Sequence, residues 1–135
     1  MGTHDQKAYF LITSHKVLVR LIDIFTRYSL NTTKLLNFID FQKAFLLYFN
    51  EDRSENILKE IENIRSRMNT KRVDFQMPAS YLSRLSPNWL LGFIEAEGSF
   101  HVIKSRLRLE FILSQSSQDL ALMKLIAEYF NGFLV

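Results

Sequence analysis

An apolar helix that ends abruptly in acidic residues and glycine constrains this chain more than any other stretch. Its residues 89–100 read WLLGFIEAEGSF and follow Pro87, a natural first-turn residue of a helix. Gly92 and Ala96 are four residues apart, so they share one face, where a second helix can approach closely. Glu97 falls at the C-terminal end, where the helix dipole disfavours a negative charge. The pattern predicts a paired helix whose acidic end needs a cation, most simply a divalent metal.

Composition excludes several kinds of site. The 135 residues include no cysteine, which rules out disulfides and thiolate zinc sites, and the three histidines show no metal-ligand spacing. No window is long and apolar enough to span a membrane, so no membrane partner is expected. The hydrophobic fraction of 47% is ample for a core, and the net charge of +3 permits a polyanionic partner without requiring one.

Hydrophobic spacing predicts a mainly helical chain with a hairpin near its end. Residues 107–115 alternate, with Leu109 and Phe111 opposing Arg108 and Glu110, which is typical of a half-buried hairpin. Gly132 is a plausible left-handed cap of the last helix. The predicted elements are a strand at 8–13, helices at 15–28, 33–49 and 54–68, a linker at 70–87, the motif helix, strands at 100–105 and 107–115, and a helix at 119–130.

Letter by letter, residues 90–98, LLGFIEAEG, resemble the LAGLIDADG motif of homing endonucleases. Other segments strengthen the resemblance, which covers nearly all of residues 8–135. Residues 24–34 resemble the family's Phe-x-x-Tyr-Pro-Leu-x-Thr-x-Lys run, and residues 36–44 resemble its aromatic Asp-Phe-x-x-Phe/Trp-Lys-x-Ala segment. Residues 57–69 resemble the family's Ile-x-x-Ile-(Arg/Lys)-x-x-(Met/Leu)-Asn helix. Residues 111–115, together with Asp119, resemble its second strand and the start of the following helix.

The resemblance implies an α/β LAGLIDADG fold, in which αββαββα repeats pack helices on antiparallel DNA-binding strands. Residues 1–69 are then the C-terminal part of a first repeat, 70–87 a linker, and 88–135 the N-terminal part of a second repeat. The chain departs from the family in having Ser29 where a proline is usual, and in having one motif instead of two. We therefore expect an incomplete fold: a fragment, a degenerate reading frame, or one piece of a split enzyme.

For activity, the resemblance implies sequence-specific, Mg²⁺-dependent cleavage of double-stranded DNA in intron homing. Glu97 is the implied catalytic carboxylate and metal ligand, and the Gly98 carbonyl can also approach the metal. Gln118, like Gln115, is placed to orient metal-bound water, although ordinary loop capping fits both equally well. The motif helix would meet a second repeat, in cis or in trans, as a dimer or through a complementing chain. Its expected interface residues are Leu90, Gly92, Phe93 and Ala96.

The polar face of the hairpin is the candidate reader of DNA, since a two-stranded ribbon fits the major groove. A simply solvated sheet face is the alternative. Arg106 and Arg108 are the best candidates for guanine or phosphate contacts. By alternation and by resemblance, the DNA-binding positions are His101, Ile103, Ser105, Arg106, Arg108, Glu110, Ile112, Ser114 and Gln115.

Several functional readings stay open at this point. The single Glu97 predicts that the chain alone does not cut DNA, because the site needs two acidic residues. The alternatives are an RNA-binding intron maturase, a degenerate non-catalytic remnant, and a helical interaction module with an accidental motif. The resemblance is to fungal mitochondrial intron-encoded members, so it also implies a mitochondrial location.

Overall fold

The computed structural model describes residues 10–51, 54–81 and 84–134. The chain forms two compact units, one ending at Leu30 and the other beginning at Asn31. The predicted strand at 8–13 is wrong over residues 10–13, the part that the structure describes. Residues 10–13 adopt no strand pairing, and Phe10 is exposed because none of the described strands covers it. Ala8 and Tyr9 lie outside the described residues.

The first unit contains helix α1, His15–Arg27. Its half-buried positions include Leu18, Leu21 and Ile22, which recur at helical spacing. Arg27 Nε donates to Asp23 Oδ1 at 2.9 Å, an exposed pair four residues apart. Like every other described helix, α1 is too short or too polar to cross a bilayer.

The second unit places two helices before an irregular segment and a helix-hairpin-helix after it. Residues 72–81 and 84–86 carry neither helix nor strand, and the 3₁₀ turn Asn69–Lys71 precedes them. The elements of this unit are α2, Lys34–Tyr48; α3, Glu55–Ser66; α4, Pro87–Glu97; β1, Gly98–Ile103; β2, Arg108–Leu113; and α5, Leu120–Phe130.

Helices α2 and α3 pack together around Leu35, Leu36 and Ile64, all of which are buried. A buried carboxylate, Asp40, accompanies this core. It accepts hydrogen bonds from Arg67 at 3.1 Å and from Arg72 Nη2. Asn37 binds the same segment, because its Oδ1 accepts from Arg72 Nε at 3.0 Å and from Asn69 N at 2.9 Å. These bonds fix the start of the linker on α2.

Helix α4 begins as predicted and packs against α5. The Ser86 hydroxyl accepts from Trp89 N at 3.2 Å, which caps the helix one residue before Pro87. Leu90 and Phe93 of α4 form a buried cluster with Leu122 and Ile126 of α5. Trp89 stacks on Phe93 with ring centroids 4.7 Å apart. The apolar side of the motif helix is therefore partly used within the chain itself.

The turn Asn31–Thr33, at the start of α2, joins segments that are distant in sequence. The buried Asn31 donates through Nδ2 to Arg84 O at 2.9 Å, and its backbone O accepts from the Tyr81 hydroxyl at 2.6 Å. Thr33 N donates to the buried Asp119 at 2.6 Å, so a residue at the start of α5 caps α2. This turn thus holds both the end of the linker and the beginning of α5.

Strands β1 and β2 form an antiparallel pair in the register Phe100↔Phe111 and His101↔Glu110. The expectation of a half-buried hairpin is wrong for its apolar face, because Phe100 is 80% exposed and Leu109 is 79% exposed. The base of the hairpin packs against α4, and Phe100 and Phe111 line a cavity together with Met123 and Ile126 of α5.

Two backbone expectations near the chain end also differ from the structure. Leu107 is not in a strand but in the turn, with left-handed φ 47° and ψ 46°. Asn131, not Gly132, supplies the left-handed residue after α5, with φ 51°. Asparagine tolerates this conformation better than most side chains, which explains how it replaces glycine there.

Candidate functional site

Glu97 lies where the motif helix meets the hairpin. Helix α4 ends at Glu97 and strand β1 begins at Gly98, so no loop separates the carboxylate from the ribbon. The Glu97 side chain is partly exposed and has no hydrogen-bond or ion-pair partner among the described residues. A carboxylate held at a helix C-terminus without such a partner is suited to meet a cation from outside.

Gly98 permits this abrupt change from helix to strand. A Cβ atom there would lie 2.7 Å from the Ile94 carbonyl oxygen and 3.0 Å from the Phe111 ring. The first atom is backbone, which cannot swing aside as a long side chain can. Glycine at this position therefore fixes how closely the end of α4 approaches the hairpin.

The donor set suits a hard cation only in part. Glu97 supplies one carboxylate and Gly98 one neighbouring carbonyl, and oxygen atoms of this kind bind Mg²⁺. Within the described ranges, no group of three His, Cys, Asp or Glu side chains could hold a metal ion. The remaining ligands would have to come from water, from a bound phosphate or from another carboxylate.

The strand register gathers most of the predicted DNA-binding residues on one face. Directly opposed pairs share a face, and the pairs are His101↔Glu110, Ile103↔Arg108 and Ser99↔Ile112. Five of the nine predicted positions are thus brought together: His101, Ile103, Arg108, Glu110 and Ile112.

Polar contacts order this face. The Ser99 hydroxyl donates to Ile112 O at 3.3 Å, so its oxygen is left to accept from His101 Nε2 at 3.0 Å. Arg108 Nε pairs with Glu110 Oε1 at 3.1 Å, which partly neutralises that arginine. The face therefore carries prearranged donors and acceptors, and the charge of its one arginine is balanced by that of Glu110.

The remaining predicted positions lie at the two ends of the hairpin. Ser105 and Arg106 belong to the turn between the strands, at residues 104–107, where both are exposed. Lys104 is exposed in the same turn but was not predicted, although its position two residues before Arg106 was a signal that could have found it. Neither cation has an ion-pair partner in the described part of the chain.

Beyond β2, Ser114 and Gln115 lead to a short 3₁₀ turn, Ser117–Asp119, that contains Gln118. The Gln115 side chain accepts from Ser116 N at 3.0 Å, which is local loop capping. Gln118 is exposed. Roles for these residues at a metal site stay predictions.

The predicted helix interface divides into two sets. Leu90 and Phe93 are buried against α5, so their side chains are already packed within the chain. Gly92 and Ala96 are exposed, and a Cβ at Gly92 would meet no atom within 4 Å. A face of small residues thus remains open for another helix, with Leu91, 61% exposed, beside it.

Comparison with known proteins identifies this arrangement. The LAGLIDADG endonuclease family model matches residues 90–135, the segment from the motif helix through the hairpin and α5. The structure of the LAGLIDADG meganuclease I-AabMI bound to uncleaved DNA superposes with a TM-score of 0.72 over 89% of this chain, at 27% identity. The resemblance to the LAGLIDADG endonuclease family is confirmed. The α/β fold predicted from the motif is confirmed.

Curated relatives support the LAGLIDADG assignment. The chain is 33% identical over 119 residues to the probable intron-encoded endonuclease Cox1-I1b of Schizosaccharomyces pombe, covering 85% of this chain. It is 29% identical over 125 residues to the uncharacterized mitochondrial protein RF1 of Saccharomyces cerevisiae, covering 91% of this chain. The chain spans 30% and 26% of the lengths of these two relatives, and 50% of the I-AabMI chain.

Proposed function

We propose that this LAGLIDADG chain is one part of a sequence-specific double-stranded DNA endonuclease of intron homing, to which it contributes one of two catalytic carboxylates. The observation that carries the proposal is the direct junction of α4 and β1. Glu97, which has no side-chain partner in the described structure, is fixed at the base of a ribbon whose polar residues share one face. A duplex lying along that ribbon would bring its backbone to the carboxylate.

The chain's own residues perform two tasks in this proposal. The hairpin binds and orients DNA, because Lys104, Arg106 and Arg108 attract phosphates while His101 and Glu110 present groups for base edges. Glu97 and the Gly98 carbonyl would hold Mg²⁺. Bound Mg²⁺ supplies activation of the attacking water and stabilisation of the leaving oxygen.

A second acidic motif helix completes the proposed site. Two strands of a duplex must be cut, and this chain presents a single Glu97 beside an open Gly92/Ala96 face. We propose that this face receives the motif helix of another repeat, in cis or in trans. In this view residues 1–69 are the C-terminal part of one repeat, residues 70–87 are the linker, and residues 88–135 are the N-terminal part of the next repeat. The fungal relatives with intron-encoded or mitochondrial names favour a mitochondrial site of action.

The decisive test compares Glu97→Gln with the matched control Glu95→Gln, which changes an exposed carboxylate on the same helix. In EDTA, Glu97→Gln should bind short duplexes at least as tightly as the wild type and Glu95→Gln, because it removes a negative charge beside the DNA backbone. Adding Mg²⁺ should tighten binding by the wild type and by Glu95→Gln, but not by Glu97→Gln. If a second copy of this chain supplies the other motif helix, strand cleavage should rise with the square of protein concentration and vanish in Glu97→Gln, whereas a single copy should not cut.

The same binding assay distinguishes an endonuclease from an RNA-folding maturase. The proposal would be contradicted if the chain bound structured RNA more tightly than duplex DNA, and if Glu97→Gln left the affinity unchanged under all conditions. The chain would then act as a maturase. Absence of any salt-dependent binding to nucleic acid would favour an interaction module instead.

Arg106 and Arg108 should contribute unequally to DNA affinity. Replacing Arg106 by alanine should weaken binding to all duplexes and reduce the slope of log Kd against log salt by about 1, because one phosphate contact is lost. Arg108→Ala should have a smaller effect, since Arg108 is already paired with Glu110. Glu110→Gln should strengthen binding, because it releases Arg108 and removes a negative charge. Titrations between about 50 and 200 mM KCl measure all three. Equal slopes for both arginine variants would contradict this ordering.

A further inference from the structure

Leu107 occupies an unusual position at the tip of the hairpin. Its backbone is left-handed, with φ 47° and ψ 46°, and its N–H donates to Lys104 O at 3.3 Å to close the turn. Its side chain is 94% exposed, so the described fold hardly touches it. Glycine, asparagine or aspartate is the usual residue in such a turn, because a bulky side chain is disfavoured at positive φ.

The fold therefore gives no reason for leucine at this site. The left-handed backbone conformation disfavours this side chain, and no contact with the described fold offsets that cost. Leu109 and Val102 are also exposed, but they lie in regular strands on a continuous apolar face that another element could cover. Leu107 lies outside the strands. Strained residues of this kind concentrate at binding sites, where the side chain is used by a partner.

The surroundings of Leu107 indicate the chemistry of that partner. Lys104 and Arg106 are exposed in the same turn and lack ion-pair partners within the described ranges, and Arg108 follows directly. Within this turn, one exposed aliphatic group lies beside two cations that have no ion-pair partner in the described structure, which fits a surface where apolar atoms lie between phosphates. The major groove of DNA is such a surface, because the thymine 5-methyl group lies at its floor and phosphates line its edges.

We propose that Leu107 is a specificity-determining residue that contacts a thymine methyl group in the major groove, while Lys104 and Arg106 hold the flanking phosphates. This inference rests on the proposed DNA binding and adds a base preference to it. An anionic membrane would also attract cations and leucine. The two-stranded ribbon favours DNA, because its width matches the groove and its polar face offers His101 and Glu110 to base edges.

The test uses the whole chain with Leu107→Asn, which suits the left-handed turn, and with Leu109→Asn as a matched control at an exposed strand position. Each protein selects from a pool of short duplexes with a randomised centre. Wild type and Leu109→Asn should enrich thymine at one position, and Leu107→Asn should not. Replacing that thymine by deoxyuridine, which removes only the methyl group, should weaken wild-type binding about fivefold and leave Leu107→Asn unchanged.

Thermal melting supplies the second readout. Leu107→Asn should melt at the same temperature as the wild type or a few degrees higher, because the turn is relieved of strain. A lower melting temperature would mean that the fold uses the leucine and would overturn the inference. The same base enrichment in wild type and Leu107→Asn, or indifference to deoxyuridine, would overturn it while leaving DNA binding intact.

Two further outcomes distinguish a wrong partner for Leu107 from a failure of the proposed DNA binding. If Leu107→Asn loses affinity for phosphatidylserine vesicles and not for DNA, the tip binds lipid and the inference is overturned. If the wild type retains no duplex from the pool at low salt, the proposed function itself fails and the inference fails with it.

Discussion

Replacing Asp40 by alanine is expected to lower the free energy of unfolding by about 3–5 kcal/mol, because it leaves a buried guanidinium without its counter-charge. The side chains of Asp40 and Arg72 are each only 9% exposed. Arg72 would keep its bond to Asn37 but lose the carboxylate. Urea denaturation followed by fluorescence of Trp89, the single tryptophan, measures the loss.

Two variants show whether burial causes this effect. Glu62→Ala removes an ion pair with Arg65 whose side chains are 61% and 72% exposed, and it should cost less than about 1 kcal/mol. The double variant Asp40→Leu with Arg72→Met removes both buried charges and should recover most of the lost stability. A loss for Asp40→Ala as small as that for Glu62→Ala would show that water reaches the pair.

Alanine at Gly98 should destabilise the chain, whereas alanine at Gly92, in the same motif, should stabilise it. At Gly98 the new Cβ would lie 2.7 Å from the Ile94 carbonyl oxygen, so the helix end must shift, at a cost of about 1–3 kcal/mol. The shift would also displace Glu97. At Gly92 the Cβ meets no atom within 4 Å, and alanine improves helix propensity by about 1 kcal/mol.

The Gly92 variant has an opposite expected effect on assembly. If the Gly92/Ala96 face receives another helix, the added methyl group holds the two backbones apart. Gly92→Ala should therefore melt at a higher temperature yet self-associate more weakly in sedimentation equilibrium. Unchanged or stronger association would show that this face is not the one that pairs.

Local sequence signals predicted the helices well, whereas the two strands differ by two residues from their predicted bounds at three of their four ends. The ends of α1, α2 and α5 were predicted to within one residue, because apolar residues recur at helical spacing and polar residues mark the boundaries. The Ser86 cap and the Pro87 start of α4 were both predicted from residue type. Alternation also placed the polar positions of the hairpin on one face.

Burial could not be predicted in the same way. Alternation shows that Phe100 and Leu109 share a face, but not whether any element covers it. The motif placed Leu90 and Phe93 on the helix, but it did not show that their side chains would be buried against α5. Likewise, the alternating pattern predicted that Leu107 begins the second strand, whereas it lies in the turn. An apolar residue in a left-handed conformation gives no sequence signal.

The bond between Asp119 and Thr33 has a consequence for synthesis of the chain on the ribosome. Thr33 emerges 86 residues before the carboxylate that caps it, and Asn31 emerges 53 residues before Arg84. At about 5–20 residues per second, the start of α2 waits about 4–17 s for its cap. The nascent helix lacks both anchors until Arg84 has emerged and still lacks the Asp119 cap until α5 begins, so chaperones have their longest access to α2 before α5 has been translated.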